Sequence, residues 1–229
     1  MTKLALIPAR GGSKRLPRKN VLPFLGKPIL AYTIDAARAS GCFDEVIVST
    51  EDAEIAEAAS LAGAAVDLRP AALAQDSSTI VEVCVDLLQR RAAAGVRDSR
   101  LCCLYATAPL RNADDIRAVM NLLDMPDCAF AMAATTYTHY AHQALKLGPD
   151  GRVEPMWPEL CTQRADRVGT LVAGNGSTYA VDVAAFLAHR NFYGPGLRAH
   201  LMPFVRSVDI DTADDFALAE CLARGMHLV

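Results

Sequence analysis

Short apolar, β-branched-rich runs recur along the chain, and segments of helical period separate them. Lys3–Ala9, Glu45–Thr50, Ala65–Leu68, Leu101–Ala106, Ala129–Ala134, Thr178–Val183 and Ser207–Ile210 read as strands. Pro28–Ser40, Asp52–Ala62, Thr79–Ala93, Ala113–Leu123 and a last stretch from Ala213 read as helices. Helices between short apolar strands require cover on both faces of a sheet. The order therefore predicts an α/β, doubly wound, mostly parallel (Rossmann-like) architecture. The rhythm fails from Thr135 to Val168, where Gly148, Gly151, Pro149, Pro155 and Pro158 interrupt any period. A stretch of that length is too long for an idle loop. The chain is read as one domain over residues 1–229 with an insertion at about 135–168.

Composition narrows the class. With 52% hydrophobic and 21% charged residues, a disordered chain is excluded. The longest uncharged stretch, Cys128–Leu145, is broken by Thr, Tyr, His and Gln. Its apolar part falls far short of the roughly 20 residues that cross a bilayer. Residues 1–9 carry no signal-peptide cleavage pattern, so the expectation is a soluble, cytoplasmic protein with no membrane partner. The seven cysteines form no CxxC pair, and adjacent Cys102 and Cys103 would face opposite sides of a strand; buried, reduced thiols are expected. His139 and His142 lie three apart without a matching third ligand, and His189, His200 and His227 are scattered, so structural or surface roles are expected for all five.

Charge is distributed unevenly. Residues 1–34 hold seven cations and no acid, whereas the remainder carries 16 basic and 26 acidic side chains. Five of the cations fall within residues 10–19, in Arg10-Gly11-Gly12-Ser13-Lys14-Arg15-Leu16-Pro17-Arg18-Lys19, directly after the first strand. Loops at the carboxyl ends of parallel strands form the ligand crevice of open sheets. Two glycines admit a close oxyanion, Ser13 offers a hydroxyl donor, and Arg10, Lys14 and Lys19 offer charge for several phosphate oxygens. The spacing matches neither the P-loop nor the GxGxxG pattern. A localised anion site on an acidic protein, without interleaved aromatics, argues against a nucleic-acid partner.

The string IPARGGSKRLPRKN resembles the nucleotide-binding signature of the CMP-sialic acid synthetase (acylneuraminate cytidylyltransferase) family. Further segments match in order: Ser49-Thr50-Glu51-Asp52, Leu68-Arg69-Pro70, Leu73–Ser78, Ala106–Arg111, Gln163-Arg164, Asn175–Tyr179 and Asp209-Ile210-Asp211-Thr212. The resemblance implies a nucleotidyltransferase sheet with an inserted dimerisation element. It implies transfer of CMP from CTP to the anomeric hydroxyl of a nine-carbon keto-sugar acid of the sialic, pseudaminic or legionaminic type, releasing pyrophosphate. By the same resemblance Arg10 and Lys19 hold phosphates and Lys14 stabilises charge at the reacting end, with Ser13 beside them. Asn20, Arg69, Ser77 and Ser78 bind ribose and base, with Arg69 alternatively a surface residue before Pro70. Tyr105 replaces the family's Gln, and Ala106-Thr107-Ala108-Pro109 its Pro-Thr-Ser-Pro, which is more similar to the pseudaminic acid branch. Asn175–Tyr179 looks like the general sialic acid branch.

On the sugar side, Tyr105, Thr107, Lys146, Arg164, Asn175, Tyr179, Phe192 and Tyr193 are the expected contacts. Arg164 can match a carboxylate bidentately, and Tyr179, Phe192 and Tyr193 either line the acyl group or belong to the core. The implied homodimer brings the inserted element to the partner's site, so Lys146 and Arg164 act in cis or in trans. Asp209 and Asp211, two apart on the expected last strand, project to one side and are expected to ligate Mg²⁺, which prefers carboxylate and phosphate oxygens. Thr212 with Asp215 reads as a capping box, which leaves Asp214 and Asp215 as helix-terminus charges. No general base stands out. The alternatives are an enzyme similar to CMP-Kdo synthetase, or an inactive nucleotide-binding module on the same fold.

Overall fold

The computed structural model describes residues 1–226; His227 lies outside them. Eleven strands form in chain order: β1 (Thr2–Pro8), β2 (Pro23–Phe24), β3 (Lys27–Pro28), β4 (Glu45–Thr50), β5 (Ala65–Leu68), β6 (Asp98–Leu104), β7 (Phe130–Thr136), β8 (Leu145–Leu147), β9 (Val153–Pro155), β10 (Val172–Asp182) and β11 (Arg198–Leu201). The helices are α1 (Ile29–Ser40), α2 (Ala53–Leu61), α3 (Ile80–Ala93), α4 (Ala113–Leu122), α5 (Ala165–Val168), α6 (Val183–His189) and α7 (Ala213–Gly225).

Seven strands make the main sheet in the order β11-β7-β10-β6-β1-β4-β5. Every neighbouring pair is parallel except those of β10, which runs against both β6 and β7. Strand β1 therefore stands at a switch point: the chain leaves it for β4 and β5 on one side, then returns to β6 on the other.

Alternate residues of β1 feed opposite cores. Ala5 and Ile7 join Leu30, Ile34, Val48, Ile116 and Val119 on one face, while Leu4 and Leu6 join Leu87, Leu88, Phe130 and Phe186 on the other. Side chains that alternate between two apolar layers explain why β1 is apolar without a polar stripe. The helices start where side chains cap them: Asp52 accepts from Glu54 and Ile55 N–H at 3.0 Å, and Thr79, Asn112 and Thr212 form capping boxes with Glu82, Asp115 and Asp215.

Three expectations are corrected. Residues 207–210 form no strand; the parallel edge of the sheet is β11 instead, a polar run (Arg198-Ala-His-Leu201) with no β-branched residue to mark it. After β11 the chain turns at Pro203 through a 3₁₀ turn, Phe204–Arg206, and crosses the carboxyl end of the sheet. That crossing buries Val208 and Ile210 with Phe24, Ile29 and Leu110, and Ile210 N–H donates to the Thr107 carbonyl at 2.9 Å. Its alternating burial resembles a strand in sequence, but this one bond replaces a ladder. The third correction is α6, which the sequence reading left out: Asp182 caps it by accepting from Ala184 and Ala185 N–H.

The crossing segment is also tied at its start. Arg206 donates to both oxygens of Asp115, at 3.0 and 2.8 Å, and Asp115 is 1% exposed. Burial pushes the Asp115 carboxyl up, but the Arg206 guanidinium and the Asn112 N–H outweigh it and hold the group below the ordinary range. A depressed carboxyl stabilises the fold above its unfolded pKa, near 3.9, and that stabilisation is lost as pH falls through the folded value. Asp115→Asn is expected to cost about 2–3 kcal/mol at pH 7, the scale of hydrogen bonds to a charged group. It should also flatten the acid limb of the stability curve. Urea unfolding between pH 3 and 7 checks both effects.

Candidate functional site

The loops that follow β1, β5 and β6 converge on one cavity of about 490 Å³ at the switch point. From the first loop come Arg10, Ser13, Lys14, Arg15, Lys19 and Asn20; from the second Arg69, Leu73, Asp76 and Ser78; from the third Tyr105, Ala106 and Thr107; Asp211 closes the wall.

The first loop is shaped from behind. Gly11 N–H donates to Glu51 Oε1 at 2.8 Å, and a Cβ at Gly11 would collide with the Asp52 carboxylate. Buried Asn20 donates from Nδ2 to the Arg10 carbonyl at 2.9 Å, joining the loop's two ends. Arg69 is 7% exposed, which settles it as an interior residue rather than a surface one. It donates to the Ser49 carbonyl, and its Nε sits 3.5 Å from Glu51 Oε2. Neither Nε nor that oxygen has a hydrogen-bond partner. Burial lowers the Arg69 pKa, and Glu51 opposes that.

Loop cations are matched by carboxylates. Lys19 and Arg15 reach the two oxygens of Asp211, each at 2.7 Å. Burial raises the Asp211 carboxyl, yet these cations bring it below the ordinary range. Asp209 is different. Its carboxylate accepts from Thr107 Oγ1, and burial pushes it above the ordinary range; the neighbouring Asp211 charge adds to the rise against the Thr107 bond. The two acids are therefore an inequivalent pair on an irregular segment, one set inward and one at the wall. Gly176 makes room for the inner one: its φ is +71°, and an added Cβ would lie 2.8 Å from Asp209 Oδ2.

A buried guanidinium missing from the sequence-based roles sits behind this pair. Arg111 is 2% exposed and donates to the Ser177 carbonyl at 2.6 Å and to Thr33 Oγ1 at 2.7 Å, tying the end of β6 to β10. Burial lowers its pKa to about 10. Its signal was only its place in the matched Ala106–Arg111 segment.

The residues expected at the sugar divide into groups. Tyr105 and Thr107 line the cavity. Tyr179 packs behind Tyr105 with ring centroids 5.7 Å apart. Phe192 is core: it is 6% exposed, stacked between Tyr179 and Phe186. Asn175 is buried and fully engaged, accepting from Ser177 N–H and Oγ and donating to Ser207 Oγ and Met202 Sδ, so it shapes the irregular stretch of β10 before Tyr179. Tyr193 is exposed beyond Tyr179. Ser77 is exposed and off the cavity wall, and Ser78 Oγ donates to the Ala72 carbonyl. Lys146 and Arg164 do not line the cavity: Lys146 lies on the β8–β9 hairpin and exposed Arg164 pairs with Asp166. His142 is buried, with Nε2 at 3.2 Å from the Gln163 carbonyl, and among the described residues no group of three or more His, Cys, Asp or Glu side chains could hold a metal.

Comparison with known proteins places this geometry. A family model described as cytidylyltransferase matches residues 4–147. The chain is 34% identical to a pseudaminic acid cytidylyltransferase of Campylobacter jejuni, across 99% of this chain and 98% of that one. It is 32% identical to a CMP-N,N'-diacetyllegionaminic acid synthase of Legionella pneumophila, across 97% and 96%. A solved structure of CMP:2-keto-3-deoxy-manno-octonic acid synthetase with CTP superposes with a TM-score of 0.72 over 99% of this chain and 100% of that one; at 17% identity this is a likeness of fold.

Proposed function

The chain belongs to the cytidylyltransferase family, and on that premise we propose that it transfers CMP from CTP to the anomeric hydroxyl of a nine-carbon keto-sugar acid, releasing pyrophosphate. One observation carries the reading: Arg10, Lys14 and Lys19 meet around one cavity at the switch point of the sheet. Phosphoryl transfer asks mainly for positioning and for charge where charge develops. Arg10 and Lys19 hold the triphosphate, and Lys14 stabilises the reacting end. Arg69, beneath the loop after β5, and Ser78 face the nucleoside, while Asn20 keeps the loop in shape. Tyr105 and Thr107 mark the acceptor side, with Tyr179 supporting Tyr105.

Asp209 and Asp211 are the residues that would hold Mg²⁺. The donor chemistry fits: the Asp209 and Asp211 carboxylates and the Thr107 hydroxyl bonded to Asp209 are all oxygen, the chemistry Mg²⁺ selects when it shares its shell with substrate phosphates. Bound there, the ion would neutralise phosphate charge that the loop cations cannot offset alone. Asp211 is paired in the free protein with Lys19 and Arg15, and holding a metal instead would leave both cations available to phosphate.

The protein acts as a homodimer through the segment between β7 and β10. Tyr137, Tyr140, Leu147, Val153, Met156 and Trp157 are exposed together there, an apolar surface unlike that of a monomer. Lys146 and Arg164, which do not line their own cavity, would serve the partner's. Seven free cysteines, and a substrate drawn from the cell's CTP pool, suit the cytoplasm.

Two experiments test the reading. Incubation with CTP and pseudaminic, legionaminic, N-acetylneuraminic or Kdo acid, read by mass spectrometry, should yield a CMP-sugar with a nonulosonic acid. Turnover with Kdo alone would transfer the reading to the CMP-Kdo alternative, and no turnover with any acceptor would leave a nucleotide-binding module. For the dimer, mixing an Arg164→Ala subunit with an inactive Arg10→Ala subunit should restore activity toward about a quarter to a half of the wild-type level if sites are shared. Mixtures no more active than the separate variants would confine each site to one chain.

A further inference from the structure

The cavity already holds an anion of the protein's own. Asp76 stands in the turn after the 3₁₀ segment Ala71–Ala74, and its two carboxylate oxygens are divided between Arg10 Nη1 and Lys14 Nζ, each at 2.5 Å. Those are two of the three cations assigned above to phosphate. Asp76 lies within a matched segment of sequence, but that segment suggested no role for it.

Such a carboxylate can act in two ways. It can brace the cations in a productive arrangement, or it can compete with the ligand for them. The geometry points to competition. Both Asp76 oxygens are used, and both occupy donors that face the cavity. Bracing groups in this site are buried, as Asn20 and Arg69 are, whereas the Asp76 side chain is half exposed and, among the described residues, pairs only with these two cations. Exposed ion pairs are weak, so a multiply charged phosphate, which makes stronger charge-assisted bonds, can displace it.

We propose that Asp76 is a resident competitor for the phosphate-binding cations, weakening CTP and pyrophosphate alike so that the released pyrophosphate is not trapped. The inference rests on reading the cavity as a nucleotide triphosphate site. Its logic is that affinity shared equally by substrate and product does not accelerate turnover. With Arg10 and Lys14 unopposed, the cavity would bind pyrophosphate, the most densely charged species in the reaction, tightly enough to slow its escape.

Calorimetry on the full chain tests it with three probes: CTP, inorganic pyrophosphate and cytidine. Asp76→Asn should bind CTP and pyrophosphate roughly three- to tenfold more tightly, the range that two exposed ion pairs can hold back, with cytidine unchanged. Asp76→Ala, which has no acceptor left to offer, should gain as much. Unchanged or weaker pyrophosphate binding by both variants, with CTP bound by the wild type, overturns the competition and leaves the nucleotide site standing. A gain for cytidine as large as that for pyrophosphate also overturns it, because charge would then not be the cause. Failure of the wild type to bind either CTP or pyrophosphate overturns the nucleotide reading and this inference together.

Discussion

Five cations packed into ten residues, four of them on one cavity wall, cannot be stable unless something answers their charge. In the free protein that answer is distributed: Asp76 takes Arg10 and Lys14, Asp211 takes Arg15 and Lys19, and Glu54 takes Arg18. Much of the surrounding structure serves this balance. Glu51 holds the Gly11 N–H from behind and sits against Arg69. The crossing segment at residues 207–211 is anchored by Arg206 on Asp115 and by Ile210 in the apolar cluster under α7, which brings Asp211 to the loop. The resulting arrangement is a cavity whose ion pairs can be exchanged for those of a ligand.

The sheet supplies the rigid frame for that exchange. β1 is buried on both faces, and the loops after β1, β5 and β6 all leave parallel strands at the same edge, so three separate stretches of sequence meet there. The single reversed strand, β10, closes the site from the other side. Its irregularity at Asn175–Ser177 gives Asp209 its space, and Arg111 locks that stretch to the end of β6.

Local chemistry decided what could be read in advance. The helices showed themselves through their period, and the last of them also through its cap, Thr212–Asp215, because a cap is written within four residues. The cationic loop showed itself by density of charge. The tertiary roles did not. Ser207–Ile210 alternates like a strand, but the alternation reflects burial against α7 rather than a ladder, and the real edge, β11, is short and polar. Phe192 looked as suitable for a sugar as for a core; only packing against Tyr179 and Phe186 separates the two. Asn175 carried a binding motif's identity while its amide is fully used inside that irregular stretch. Asp76 and Arg111 lay in matched segments, but their partners are 66 residues away in one case and in the other as far as 78, a relation no local pattern encodes.

The central proposal is that Asp211, paired in the free protein with Arg15 and Lys19, and Asp209, held by Thr107, are the residues that would hold the metal for transfer. Turnover of Asp211→Asn beside Asp214→Asn tests it most directly. The first keeps the shape of the side chain and removes its charge; the second removes an acid in the first turn of α7. The account predicts that kcat falls by roughly 10²–10³ in Asp211→Asn, as for loss of one preorganised charge-stabilising group, and stays close to wild type in Asp214→Asn. Equal behaviour of the two variants, or full activity in excess EDTA, would contradict it.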